Sequence, residues 1–153
     1  MPEFSLKREL LGGVALGAAL ALLFVRSKRS LSLSMCRNRA AIERFDIDKR
    51  FTNSCSYGHI VFMSGQVGVG ATIQEQTQSA LDEVDRALKA AGSDKSKILE
   101  ATVWLSDIEK YYQGMNEVYD KWLVPGKPPC RACVEAKLAS PNYLVEIRVI
   151  AAK

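Results

Sequence analysis

Apolar residues recur along this chain with two different periods, and the changes of period mark out its elements. Over 72–92 the apolar positions Ala80, Leu81, Val84, Leu88 and Ala91 fall three or four residues apart, the spacing of one helix face. Thr72-Ile73-Gln74-Glu75 has the form of a capping box that opens this helix, and Gly92 closes it. A second helical stripe runs through Ile108, Tyr111, Tyr112, Met115, Val118, Tyr119 and Trp122. Ser106 or Asp107 caps its start, and Pro125-Gly126 stops it. Elsewhere the period is two, the signature of strands. Ile60, Phe62 and Ser64 oppose Val61, Met63 and Gly65 over 59–67; Ala101, Val103 and Leu105 share one side of 97–105. Val145, Ile147 and Val149 form the core face of 143–151, with Leu144, Glu146, Arg148 and Ile150 on the other. Residues 43–57 alternate weakly and predict one or two short strands, with Phe45, Ile47 and Phe51 buried. The order strands, helix, strand, helix, strand, strand predicts an α+β layer, one sheet with both helices on one face.

The most distinctive chemistry lies in Pro128-Pro129-Cys130-Arg131-Ala132-Cys133-Val134-Glu135-Ala136-Lys137-Leu138. Two prolines bar a helix, and the alternation that follows predicts a strand. Ala132, Val134, Ala136 and Leu138 are assigned to the core, which puts Arg131, Cys133 and Glu135 together on the far face. By the same parity Arg131, Glu135, Glu146 and Arg148 are expected on one sheet surface. A charged and apolar mixture of that kind suits a sheet packed on another subunit around a wet cleft. A guanidinium there offers a fixed fork of donors for a carboxylate. A solvated strand face carrying an Arg–Glu pair fits the pattern equally well.

The glycines of Ser64-Gly65-Gln66-Val67-Gly68-Val69-Gly70 match neither dinucleotide nor P-loop spacing, and read as a turn with backbone amides open to a ligand. Of the four cysteines, Cys36, Cys55, Cys130 and Cys133, the last two form a CxxC. Positions three apart on a strand point to opposite faces, and His59 is the only histidine, so neither a metal site nor a redox pair is expected. Free thiols in a reducing compartment fit better. His59 reads as a turn or edge residue.

Charge separates the chain into two parts. The net charge is +4, yet residues 1–41 hold seven of the 21 Lys and Arg and two of the 17 Asp and Glu. Residues 42–153 are therefore near neutral, which argues against a nucleic-acid-binding body. Within the basic arm, Leu10 to Val25 is an uncharged apolar run, short for a membrane span, followed by a polar linker from Ser27 to Ala41. A short membrane anchor, an organelle-targeting presequence and a secretory signal are the three readings, in falling order. With an anchor, the more basic flank after the run places the domain on the cytosolic or matrix side. The division expected is an arm of 1–41, carrying an apolar helix, and a domain of 42–153.

The domain resembles the RidA (YjgF-type) enamine/imine deaminases. The carriers are Ser64-Gly65-Gln66, Gln76-Thr77, Ala90-Ala91-Gly92, Ile98 through Asp107, Asn116-Glu117-Val118-Tyr119, Arg131-Ala132-Cys133-Val134-Glu135 and Val145-Glu146-Ile147. The C-terminal half is similar to the YoaB-like branch. The resemblance implies a chorismate-mutase-like fold, a homotrimer with clefts between subunits, no cofactor, and hydrolysis of 2-aminoacrylate-type imines to 2-keto acids and ammonia. It implies Arg131 as the grip on the substrate carboxylate, Cys133 in the same cleft, Ser64 and Gly65 lining it, and Phe51 where the family carries a tyrosine. A family glutamate that positions water is matched to Arg148, and Glu146 to a second glutamate two residues earlier. Arginine accepts no hydrogen bond, so Arg148 is no base; it could add a second carboxylate clamp, while Glu146 could take over the water. The alternative is a catalytically weak carboxylate-binding subunit tethered to a membrane. The location expected is mitochondrial or another organelle. Nucleic-acid cleavage, attached to some relatives, finds little support in a near-neutral domain.

Overall fold

The computed structural model describes residues 41–153, which form one compact unit. The apolar run Leu10 to Val25 and all but the last residue of the linker lie outside the described residues. No helix among the described residues is long and apolar enough to cross a membrane. The strands are β1 Ile42–Ile47, β2 Thr52–Tyr57, β3 Ile60–Met63, β4 Gln66–Val67, β5 Ile98–Leu105, β6 Cys130–Glu135 and β7 Val145–Ala152. The helices are α1 Ile73–Ala90 and α2 Ile108–Trp122. All strands join one mixed sheet in the order β1-β2-β3-β7-β5-β6, with β4 also paired to β7. Only β5 and β6 run parallel, as a strand pair joined through a crossover helix must.

Both helices cover one face of this sheet, as the periodicity predicts. Thr72 Oγ1 accepts from Glu75 N at 3.2 Å, and the Glu75 carboxylate accepts from Thr72 N at 3.1 Å, so the capping box is complete. Asp107 caps α2 by accepting from Lys110 N at 2.9 Å. Leu81, Val84 and Leu88 of α1 pack with Met115 and Tyr119 of α2 over Ala101, Val103, Ile147 and Val149 of the central strands. Each such aliphatic side chain contributes about 1.5–3 kcal/mol by leaving water. Gln76, buried on α1, is fully employed: it donates to Asn142 O at 2.9 Å and Gly70 O at 3.1 Å and accepts from Leu144 N at 2.9 Å. It ties the turn before α1 to the entry of β7, and so sets the register of β4 against β7.

Two expectations are corrected here. Ile47 and Phe51 are 72% and 55% exposed instead of buried, because they flank the β1–β2 turn at the edge of the sheet, outside the core packed under the helices. The face assigned to β6 is reversed. Arg131 pairs with Ala101, Cys133 with Val103 and Glu135 with Leu105, and those β5 residues face the helices. Arg131, Cys133 and Glu135 therefore stand on the helix side, while Val134 is 45% exposed on the open face. The physical reason is that β6 is an edge strand with five of its six residues exposed, Cys133 alone being partly buried. With so little burial on either face its alternation does not report which one is inside; the parallel register with β5 decides it.

Candidate functional site

Arg131 is exposed, yet its guanidinium is held against α2. Its Cζ lies 4.9 Å from the centre of the Tyr119 ring. Nη1 donates to Asn116 Oδ1 at 2.8 Å, and Nη2 donates to the Tyr112 hydroxyl at 3.4 Å. Tyr112, Asn116 and Tyr119 occupy positions i, i+4 and i+7 of α2, one face of the helix. The helix thus provides a polar and aromatic bed, and the guanidinium lies along it with donors left over. A cation over an aromatic face gains roughly 0.5–1 kcal/mol at an exposed site. Cys133, two residues on, packs its thiol against the core edge, and burial raises its pKa, partly offset by Arg131. A thiol so placed stays protonated near neutral pH and is a poor nucleophile.

Glu135 has a different role from its neighbours. Its carboxylate accepts from Ile108 N at 3.0 Å, joining Asp107 at the N-terminus of α2. The Arg131–Glu135 pair considered from the sequence does not form; none of the ion pairs among the described residues involves either side chain.

The other expected residues gather on the far side of the sheet centre. Ser64, at the end of β3, donates its hydroxyl to Thr52 O at 2.7 Å and its amide to Asn53 O at 2.9 Å. Gln66 donates to Asn53 Oδ1 at 2.7 Å, which firms the same corner. Phe51, Asn53, Gly65 and Gln66 help to line an open groove of about 510 Å³; neither Arg131 nor Cys133 reaches it. Glu146 pairs with Trp104 on β5 and Val67 on β4, and stands on the face away from the helices. Its carboxylate lies against Gly65. Arg148, on the same face, places its Cζ 5.6 Å from the centre of the Trp104 ring. Glu146 and Arg148 thus share a face as expected, whereas Arg131 and Glu135 do not join them.

Arg131 and Glu146 are separated in every direction. They lie on strands two apart and three residue rows apart, which at about 4.8 Å per strand and 3.3 Å per residue puts their Cα atoms roughly 14 Å from each other. They also point from opposite faces. Within one chain they cannot meet the same small molecule.

Cys55, Cys130 and Cys133 are free thiols. Among the described residues no cluster of His, Cys, Asp and Glu side chains is arranged to hold a metal ion. Asn116, Tyr112 and Tyr119 are the site residues that pattern reading misses as such. Their signal was their common face on the second helical stripe.

Fold and site together define an α+β protein that presents an oriented guanidinium at one sheet edge and a separate carboxylate on its open face. A family model described as Endoribonuclease L-PSP matches residues 41–153, and the chain belongs to that family, the YjgF/RidA proteins. A RutC family protein of Haemophilus ducreyi is 41% identical over 113 residues, covering 72% of this chain and 96% of its own. The RutC family protein YoaB of Escherichia coli is 36% identical over 112 residues, covering 72% and 97%. A crystal structure of a YjgF family member from Neisseria meningitidis superposes with a TM-score of 0.74 at 39% identity, covering 76% of this chain and 98% of that one. Further off are the mitochondrial protein mmf2 of Schizosaccharomyces pombe, 34% identical (67% and 87% covered), and the chloroplastic Reactive Intermediate Deaminase A of Arabidopsis thaliana, 26% identical (88% and 79% covered).

Proposed function

We propose that this protein hydrolyses reactive 2-imino acids and their enamine tautomers to 2-keto acids and ammonia, in clefts between the copies of a homotrimer. The observation that carries the proposal is the separation of Arg131 from Glu146. Each is presented for chemistry, and only a second copy can bring the Glu146 side of one chain opposite the Arg131 side of another. An edge strand with Val134 exposed, beside an open sheet face bearing Phe62 and Trp104, is the surface such an assembly would cover.

In this reading the Arg131 fork takes the substrate carboxylate, pre-oriented by Asn116 and Tyr119. Phe51, Ser64 and Gly65 of the neighbouring copy line the other wall. The Glu146 carboxylate holds a water and accepts its proton as the oxygen bonds to the imine carbon. Glu146 passes that proton to the imine nitrogen, giving a neutral carbinolamine; the carbinolamine hydroxyl proton then moves to nitrogen through the same carboxylate as the C–N bond breaks, so ammonia leaves with the 2-keto acid and Glu146 is again ionised. Glu146 takes this role over Arg148 because an arginine stays protonated and offers no acceptor. Cys133 shapes the pocket floor as a neutral thiol. Arg148 belongs to the subunit-packing face beside Trp104. A near-neutral domain speaks against nucleic acid as the substrate. The relatives named for deamination and for mitochondria point the same way.

Residues 1–41 form, in this proposal, a mitochondrial targeting or anchoring arm on a domain of 42–153. Sequencing the N-terminus of the protein isolated from its organelle, with and without detergent extraction, decides between the two.

The activity test supplies 2-aminoacrylate or 2-iminobutanoate, generated in situ, to purified protein whose mass is measured in solution. Ammonia release above the buffer rate from a trimer is expected. A folded trimer that binds 2-keto acids without turnover makes it a carboxylate-binding member instead; a monomer that binds nothing overturns both.

A further inference from the structure

Gly65 is not one of the glycines with a positive φ, which among the described residues are Gly58, Gly70, Gly92 and Gly126. Conformational freedom therefore does not explain it; space does. A Cβ built on Gly65 would overlap Glu146 Oε1, with Cδ at 2.7 Å and Cγ at 2.9 Å. All three nearest atoms belong to the end of one ionisable side chain. The other tight glycines differ: a Cβ on Gly68 meets the backbone of Gln76, and one on Gly114 meets Ile73 and Gln74, both contacts of packing between elements.

The β4–β7 register produces this approach. Val67 pairs with Glu146, so the chain just before β4 passes beneath the Glu146 side chain as it leans along the sheet. Glu146 is half-buried there, and no ion pair among the described residues engages it.

We propose that Gly65 is a positioning residue: the space left by its missing side chain is the seat of the Glu146 carboxylate, and any larger residue swings that carboxylate off its station. The inference rests on the reading of Glu146 as the group that holds the attacking water. Because the overlapping atoms end a flexible side chain, Gly65→Ala displaces the carboxylate and leaves the backbone in place. A misplacement of about 1 Å at a reacting group lowers turnover on the order of 100-fold.

The test combines kinetics with a crystal structure. Gly65→Ala is expected to lower kcat by roughly 10- to 100-fold with KM within about twofold, since Arg131 keeps the carboxylate grip. In a Glu146→Gln background the same substitution is expected to add no further loss, the mark of two residues acting as one unit. A fully additive loss, or a change confined to KM, overturns the inference. The crystal structure of Gly65→Ala decides it without turnover: a displaced Glu146 carboxylate supports the seat and an unmoved one overturns it, even if the wild type proves inactive and the deaminase reading falls. Should Gly65→Ala fail to fold, Gly65→Ala combined with Glu146→Ala removes the overlapping atoms and is expected to fold; failure of that double variant also overturns the inference.

Discussion

On β6, a long flexible cation is fixed in place by side chains of the helix that covers it. On β7, a carboxylate rests over a glycine, and no ion pair among the described residues holds it. The Arg131 guanidinium has Asn116, Tyr112 and Tyr119 around it; the Glu146 carboxylate has the shape of the Gly65 turn. The difference suits the two tasks proposed for these residues. A binding fork must be oriented before the ligand arrives, since ordering it afterwards would subtract from affinity. A proton acceptor must keep its lone pairs unengaged, since a strong partner such as an arginine would depress its basicity.

The sharpest way to break this comparison is to remove the fork. Arg131→Ala is expected to lower kcat/KM by roughly 200- to 5,000-fold, the truncation of one partner in a buried charge pair being worth about 3–5 kcal/mol once the substrate fills the cleft. Circular dichroism should stay unchanged, because the side chain lies outside the core. Arg131→Lys keeps the charge and loses the fork, and should fall between the two. Unaltered turnover in Arg131→Ala would end the assignment.

Mixing protomers tests whether the two halves belong to different copies. In the proposed trimer, Arg131→Ala and Glu146→Gln proteins should each be nearly inactive. After co-expression in equal amounts, about one cleft in four would combine an intact arginine from one copy with an intact carboxylate from the next, so about a quarter of wild-type turnover should return. If none returns while mixed trimers are isolated by differential tags, both groups do not act in one intersubunit cleft.

The same pair shows what the sequence could and could not reveal. β5 and β7 run through the sheet with one face under the helices, so Ala101, Val103, Ile147 and Val149 were readable as core from their period of two. β6 has the same period, yet its alternation points to Ala132 and Val134 as the core face, while Cys133 is the residue packed inward. Cysteine behaves as a small hydrophobe when buried, so both sides of the strand carried an apolar signal. The deciding information was a register between β5 and β6, fixed through the intervening helix. Asn116 was hidden for a related reason. A polar residue on an aromatic stripe looks like a solvated helix position until the strand bearing Arg131 is laid beside it. The seat of Glu146 depends on β4 and β7 meeting, residues far apart in the chain, and no local pattern encodes that.

A smaller effect tests the bed beneath the fork. Asn116→Ala removes one hydrogen bond to Arg131 at an exposed position, worth about 1 kcal/mol, so KM should rise roughly fivefold with kcat nearly unchanged. Asn116→Asp keeps the acceptor but adds a charge that competes with the substrate carboxylate, and should raise KM more than Asn116→Ala does. An Asn116→Asp variant that binds substrate better than Asn116→Ala would show that the amide acts on something other than Arg131.

Cys133 should give the smallest change of all, and its pH dependence is the discriminating measurement. Burial raises the thiol pKa, with Arg131 opposing. The folded protein therefore keeps the proton at pH values where the unfolded chain, with a cysteine pKa of about 8.5, has begun to release it. Stability associated with this thiol is complete below that pH and declines as pH rises through the folded pKa, because the unfolded state then binds fewer protons. In Cys133→Ala that alkaline decline should be reduced, while kcat/KM at pH 7 stays within about threefold, as befits a protonated thiol with no nucleophilic duty. Wild-type protein should also react with iodoacetamide at Cys133 more slowly than at Cys130, which is exposed at the start of the same strand. A large loss of turnover in Cys133→Ala, with the alkaline stability profile unmoved, would mean that the sulfur takes part in the chemistry and that the Arg131 half of the cleft holds a reacting group as well as a grip.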